Sequence, residues 1–105
     1  MDMKQLMQMG RKMQDQMAQM QEDLEARELS ASAGGGMVTA TVNGKGHVQG
    51  VSIDPTVVDP SDVEMLEDLV LAAVSEAQKK AAEAYEAELK KASGGLPFPM
   101  KLPGF

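Results

Sequence analysis

The chain has 105 residues, 43% of them hydrophobic and 25% charged, and a formal charge of −6, which describes one globular domain too small to bury a large core alone. The absence of cysteine excludes a disulfide framework and thiolate chemistry, and no apolar run approaches the ~18–20 residues of a membrane span. The opening Met1-Asp2-Met3-Lys4-Gln5 lacks the basic-then-apolar layout of a signal peptide, so a cytoplasmic protein is expected. Tyr85, Phe98 and Phe105 are the whole aromatic set, and the body must be packed with Met, Leu, Val and Ala.

Residues 3–26 predict one amphipathic helix. Met3, Gly10, Met17 and Leu24 fall seven apart, and Leu6, Met13 and Met20 interleave with them as an a/d seam. That seam suits a partner helix or another element of the same fold, and Gly10 in its middle invites close approach of a neighbouring backbone. From residue 28 the period changes. Gly34-Gly35-Gly36 separates residues 29–33 from residues 37–42, where Val38, Ala40 and Val42 alternate with Met37, Thr39 and Thr41. Asn43-Gly44 is a strong hairpin signal, and a third strand over residues 47–53 ends at Asp54-Pro55. Three strands with short turns predict an antiparallel meander. Val51 and Ile53 share one face of the third strand and Val48 the other, which calls for a bulge or two-sided burial.

Asp59-Pro60-Ser61-Asp62 reads as a helix start, with Asp59 as cap and Pro60 at the first helical position. No breaker follows until Gly94-Gly95, so this helix outreaches a three-stranded sheet and its C-terminal half is expected to project. Residues 94–105, with three prolines, cannot continue a helix or form a central strand. They are read as a Gly/Pro-rich tail to a domain of residues 1–93, flexible or docked on a groove through Phe and Leu.

The charge is unevenly placed. Asp59, Asp62, Glu64, Glu67 and Asp68 carry −5 without a compensating base, and the two helices are otherwise near neutral, so either can present a basic face. Composition permits nucleic-acid binding without favouring it.

The Met/Gln-rich opening from Met7-Gln8-Met9 to Met20-Gln21-Glu22 is followed in order by Gly34-Gly35-Gly36-Met37-Val38, Val42-Asn43-Gly44, Val51-Ser52-Ile53-Asp54-Pro55 and Glu64-Met65-Leu66-Glu67-Asp68-Leu69. Leu102-Pro103-Gly104-Phe105 closes the series. Together these phrases resemble the YbaB/EbfC family of bacterial nucleoid-associated proteins over essentially the full length. The resemblance implies an α+β protomer of α-β-β-β-α order, with a three-stranded antiparallel meander and two long helices. It further implies a tweezer-like homodimer that binds double-stranded DNA in the nucleoid with little sequence preference. Over residues 76–91 this chain offers four Lys and no Arg, matched by four Glu, so weaker binding is expected if Arg–phosphate contacts matter in the family.

The candidate DNA-binding residues are Lys79, Lys80, Lys90 and Lys91 on the second helix, and Lys4, Arg11 and Lys12 on the first. Phosphate contacts supply most non-specific affinity for DNA. The plainer alternative is a solvated face, since Glu76 with Lys80 and Glu86 with Lys90 stand four apart in the order that stabilises a helix. Seven Met in the first twenty residues read as adaptable packing rather than a Cu(I) site. Gly34-Gly35-Gly36 leads into a strand and so does not match a phosphate loop, His47 stands alone, and residues 59–68 do not follow a Ca²⁺ loop. No nucleophile, base and orienting group assemble. The expectation is a non-enzymatic homodimer with no cofactor, no metal, no small-molecule substrate and no membrane partner. The rival function is a dimeric protein–protein interaction module that uses the Met-rich helix or the Pro-rich tail.

Overall fold

The computed structural model describes residues 2–92; the Gly/Pro tail lies outside the described residues. Helix α1 spans Met3–Ala26. Asp2 caps it in extended conformation, its Oδ1 accepting from the Gln5 amide at 2.8 Å. Arg27 ends it by returning the backbone to the extended region. Strands β1 (Glu28–Ala33), β2 (Val38–Asn43) and β3 (Val48–Ile53) form an antiparallel sheet in the order β1-β2-β3. A short 3₁₀ turn at Pro55–Val57 leads on to helix α2, Val63–Ala92.

The bulge anticipated from Val48, Val51 and Ile53 is present. The β2–β3 register runs from Val38 opposite Ile53 to Thr41 opposite Gly50, then places Val42 opposite Val48 and passes over Gln49. The extra residue turns Val48 onto the same face as Val51 and Ile53. That face of β2 carries Val38, Ala40 and Val42, all fully buried beneath α2.

Helix α2 meets the sheet through Ala73, Ala77 and Ala81, which recur every four residues and are buried. Methyl side chains let the helix axis come close to β1 and β2, and the larger Leu66, Leu69, Val70 and Val74 fill in along its sides. Helix α2 covers β1 and β2 far more than β3, and all of β3 stays exposed.

Two expectations about the helices need correcting. Helix α2 starts at Val63 rather than Pro60. Asp59 is spent on a preceding turn, where its Oδ1 accepts from the Ser61 amide and hydroxyl at 2.9 and 2.7 Å. Asp62 then takes the Met65 amide at 3.2 Å. Second, the C-terminal half of α2 does not project over most of its length. It is held by the buried Ala81, by Lys80 Nζ donating to the Ser30 carbonyl at 2.8 Å, and by the Arg27–Glu88 ion pair at 3.1 Å.

The free-standing element is α1. Only Met20 and Leu24 are buried along its 24 residues, and the molecule extends over 70 × 28 × 17 Å. The radius of gyration, 19.3 Å, compares with about 13 Å for a compact chain of this length.

Candidate nucleic-acid interface

The arm is set by one close contact. At the end of α1 the Leu24 carbonyl accepts from the Gly44 amide at 2.7 Å. A Cβ on Gly44 would stand 2.5 Å from that same oxygen, so no other residue fits without moving α1. The hairpin itself is longer than a two-residue turn. Asn43 completes β2 with negative φ, and its buried side chain accepts from the Lys45 and His47 amides at 2.9 and 3.0 Å. Gly46 supplies the positive φ, 84°. Here Asn43 shapes the turn through its side chain and Gly44 through its lack of one.

This joint fixes the direction of α1 relative to the body. Leu24 sits on the β2–β3 turn, and the arm leaves from that end of the sheet. Leu69, near the start of α2, packs beside Gly34 at the opposite end. The acidic segment of residues 59–68 therefore lies at one end of the body and the arm at the other. An acidic chain thus keeps its densest negative charge away from its projecting helix.

The seven predicted cationic residues fall into two groups. Lys4, Arg11 and Lys12 are exposed on the arm, and among the described residues their side chains have no hydrogen bond or ion pair. Of the α2 set, Lys80 is engaged with the Ser30 carbonyl and Lys91 lies 3.6 Å from Glu88. Lys79 and Lys90 are both exposed. Eleven residues apart, they share one helical face at a spacing of about 16 Å. The structure does not gather the seven residues into one patch. Lys45 and Arg27 were not among the candidates, yet both stand at the arm end, where Lys45 lies 3.8 Å from Glu25 and Arg27 pairs with Glu88. The charged residue inside the Asn43-Gly44-Lys45-Gly46 turn was the available signal for Lys45.

A second surface lies across the body. Ile53, Leu66, Val70, Leu71 and Val74 line an open apolar groove of about 480 Å³ between β3 and α2. Val48, Val51 and Ile53 are 38–47% exposed along β3, and Leu71 is 65% exposed. The outer edge of β3 has no strand beside it among the described residues.

Among the described residues no group of three or more His, Asp or Glu side chains is placed to hold a metal ion. No helix there is long and apolar enough to cross a membrane.

The described residues form a two-helix α+β protomer with an uncovered sheet edge and a projecting first helix that carries Lys4, Arg11 and Lys12 toward its free end. Residues 1–96 match the YbaB/EbfC DNA-binding family, and the chain belongs to that family. It is 54% identical over 91 residues to a nucleoid-associated protein of Gemmatimonas aurantiaca, covering 87% of this chain and 88% of that one. A nucleoid-associated protein of Clostridium acetobutylicum is 49% identical over 98 residues, 93% of this chain and 88% of its own. The fold is that of an uncharacterised Helicobacter pylori protein of known crystal structure, with a TM-score of 0.79 at 24% identity over 90% of this chain and 99% of that one. The family is one of DNA-binding proteins, not of enzymes.

Proposed function

We propose that this protein binds duplex DNA in the bacterial nucleoid as a homodimer, with little sequence preference, using the exposed basic residues of its helices. The observation that carries the reading is α1, a helix that builds almost none of its own core and holds Lys4, Arg11 and Lys12 free at the end away from the acidic segment. Lys79 and Lys90 on the outer face of α2 are a second contact line. Residues 1–93 act as the working domain, with 94–105 as an appended tail.

The second copy covers the β3–α2 groove. The core of one protomer is built largely from Ala and Val, and Leu24, Val38 and Val42 are its largest fully buried side chains. Apolar side chains of greater size stand on β3 and α2 beside an unpaired strand edge, and a two-fold related copy can bury both at once. Pairing through this groove leaves both arms free to reach one duplex.

A homodimer carries a formal charge of −12, twice the chain's −6, so long-range attraction to a polyanion is absent and affinity rests on short-range phosphate contacts. Each such contact contributes roughly −0.9 to the slope of log affinity against log salt. Titration of random-sequence duplex at several salt concentrations tests the assignment. Replacing Lys4, Arg11 and Lys12 with Gln lowers affinity and flattens the slope, and replacing Lys79, Lys80, Lys90 and Lys91 does so less. Unchanged binding in both variants refutes the proposal. Equal competition by single-stranded DNA refutes the duplex preference.

A further inference from the structure

The two helices carry their charges in opposite orders. Helix α2 has Glu64 in its first turn and Lys90 and Lys91 in its last, the order that complements the partial charges at helix ends. Helix α1 has no acid in its first turn and no base in its last. Its cations, Lys4, Arg11 and Lys12, stand in the distal half, and its acids, Asp15, Glu22, Asp23 and Glu25, in the half nearest the body. At the tip, Asp2 is taken up by the Gln5 amide. This order disfavours the helix at both ends. It also sets Arg11 four residues ahead of Asp15, the less favourable direction for a pair on one helix, and the two form no ion pair.

The change of sign falls along a single face. Lys4, Arg11, Asp15 and Glu22 succeed one another at intervals of seven, four and seven residues, which return to the same side of a helix. All four are exposed, and neither Asp15 nor Glu22 has a side-chain hydrogen bond or ion pair among the described residues. Across the helix from them lie Met20 and Leu24, the two residues buried where α1 meets the body. The stripe therefore faces outward along the arm, positive over its distal part and negative over its root. On the flank, Lys12 and Asp23, eleven residues apart, repeat the same change of sign.

We propose that the acids at the root of α1 exclude the duplex, so that DNA is held on the distal half of each arm and kept off the joint. The inference rests on the DNA-binding reading above and adds to it a limit on how far contact extends along the arm. A duplex laid along the outward stripe meets Lys4 and Arg11 over about 10 Å, then Asp15 within about another 6 Å. That last separation is inside the screening length of ~8 Å at physiological salt, so phosphates lying past Arg11 are repelled. The cations at the joint do not offset this, because Lys45 faces Glu25 and Arg27 pairs with Glu88. The acids of residues 59–68 do not supply the repulsion, since they lie at the opposite end of the body. Confining contact to a few cations per arm releases fewer counterions, which makes the complex weaker and easier to exchange.

The chain contains no cysteine, so single thiols carry a photo-crosslinker to chosen points on the stripe. Gln8→Cys lies among the cations and Ala18→Cys among the acids, both at exposed positions on the outward side. With a short aryl azide attached and random-sequence duplex bound, Gln8→Cys crosslinks to DNA and Ala18→Cys gives little or none. Adding Asp15→Asn/Glu22→Gln to Ala18→Cys brings its yield up to that of Gln8→Cys.

A titration in the cysteine-free chain separates local exclusion from net charge. Asp15→Asn/Glu22→Gln tightens duplex binding roughly three- to ten-fold at low salt, a gain that fades as salt rises. Glu64→Gln/Asp68→Asn removes the same charge from the far end of the body and changes affinity by less than about two-fold. Equal crosslinking from Gln8→Cys and Ala18→Cys without the added substitutions overturns the exclusion. So does equal tightening by the two charge-removing pairs, or none by Asp15→Asn/Glu22→Gln. Each of those results leaves DNA binding in place, whereas failure of wild type to bind the duplex overturns the DNA-binding proposal and this inference with it.

Discussion

Helices α1 and α2 divide apolar side chains in a way that size alone would not suggest. Helix α2 buries three alanines and leaves Val63, Met65 and Leu71 exposed; α1 keeps Met3, Leu6, Met7, Met9, Met13 and Met17 exposed and buries only Met20 and Leu24. The difference lies in what each surface meets. A sheet face admits a helix closely when the contact residues are small, so alanine is what the interior of one protomer requires. Large flexible side chains on a helix that leaves the body meet nothing within the protomer, and suit contacts with another chain.

The two regions should respond to substitution in opposite ways, and the largest effect belongs where α1 joins the body. Leu24→Ala removes a fully buried side chain and should cost about 2–5 kcal/mol in urea unfolding. A comparable change on the arm, Met13→Ala, should stay within about 0.5 kcal/mol, as surface substitutions do. If the two cost the same, the arm is not free of the protomer's own fold.

Next comes the alanine stripe. Ala77→Leu forces α2 away from the sheet and should destabilise by about 1–3 kcal/mol, although Leu and Ala are both strong helix formers. Thermal melts will show this as a lower Tm with unchanged helicity at low temperature. Gly10→Ala on the arm has the opposite sign. It meets no neighbour, so it should stabilise by up to about 1 kcal/mol.

The Arg27–Glu88 pair ties α1 to α2 but is partly exposed, with side chains 38% and 21% accessible. Glu88→Gln should therefore cost no more than about 1 kcal/mol. The smallest effect is at acid pH. The Asp54 carboxyl lies below the usual carboxylate range because the Thr56 amide and then the Thr56 hydroxyl donate to it. Asp59 is lowered by the Ser61 hydroxyl and then the Ser61 amide. With folded pKa values below the unfolded ones, both contribute stability at neutral pH and lose it as pH falls through the folded values. Asp54→Asn/Asp59→Asn should therefore shallow the acid limb of a Tm–pH curve and leave its alkaline side unchanged.

Much of this division is legible in the residues. The Met/Leu heptad marks α1, the alternation through Val38, Ala40 and Val42 marks the buried strand, and the misphased Val48 marks the bulge at Gln49. Periodicity shows which face of a helix is apolar; it does not show which apolar face the protomer itself covers. That is why α2, with large apolar side chains in its first half and alanines in its second, reads as a projecting helix when α1 is the one that projects. Asn43-Gly44 announces the hairpin, but the Leu24 carbonyl that explains the identity of Gly44 lies twenty residues away. The candidate cations were found by residue type. Their separation into a free arm set and a partly engaged α2 set depends on long-range contacts such as Lys80 with Ser30, fifty residues apart, which no local pattern encodes.

The proposed DNA-holding unit is a two-armed dimer joined through the β3–α2 groove. The measurement that tests it most directly is the salt dependence of random-duplex binding by Ile53→Lys/Leu71→Lys, with its folding checked by circular dichroism and its mass by sedimentation. The expected result is a folded monomer whose slope of log affinity against log salt falls to about half that of wild type, because one arm now makes the phosphate contacts that two arms made. A folded monomer that binds with wild-type affinity and slope, or a variant that remains dimeric, would contradict it.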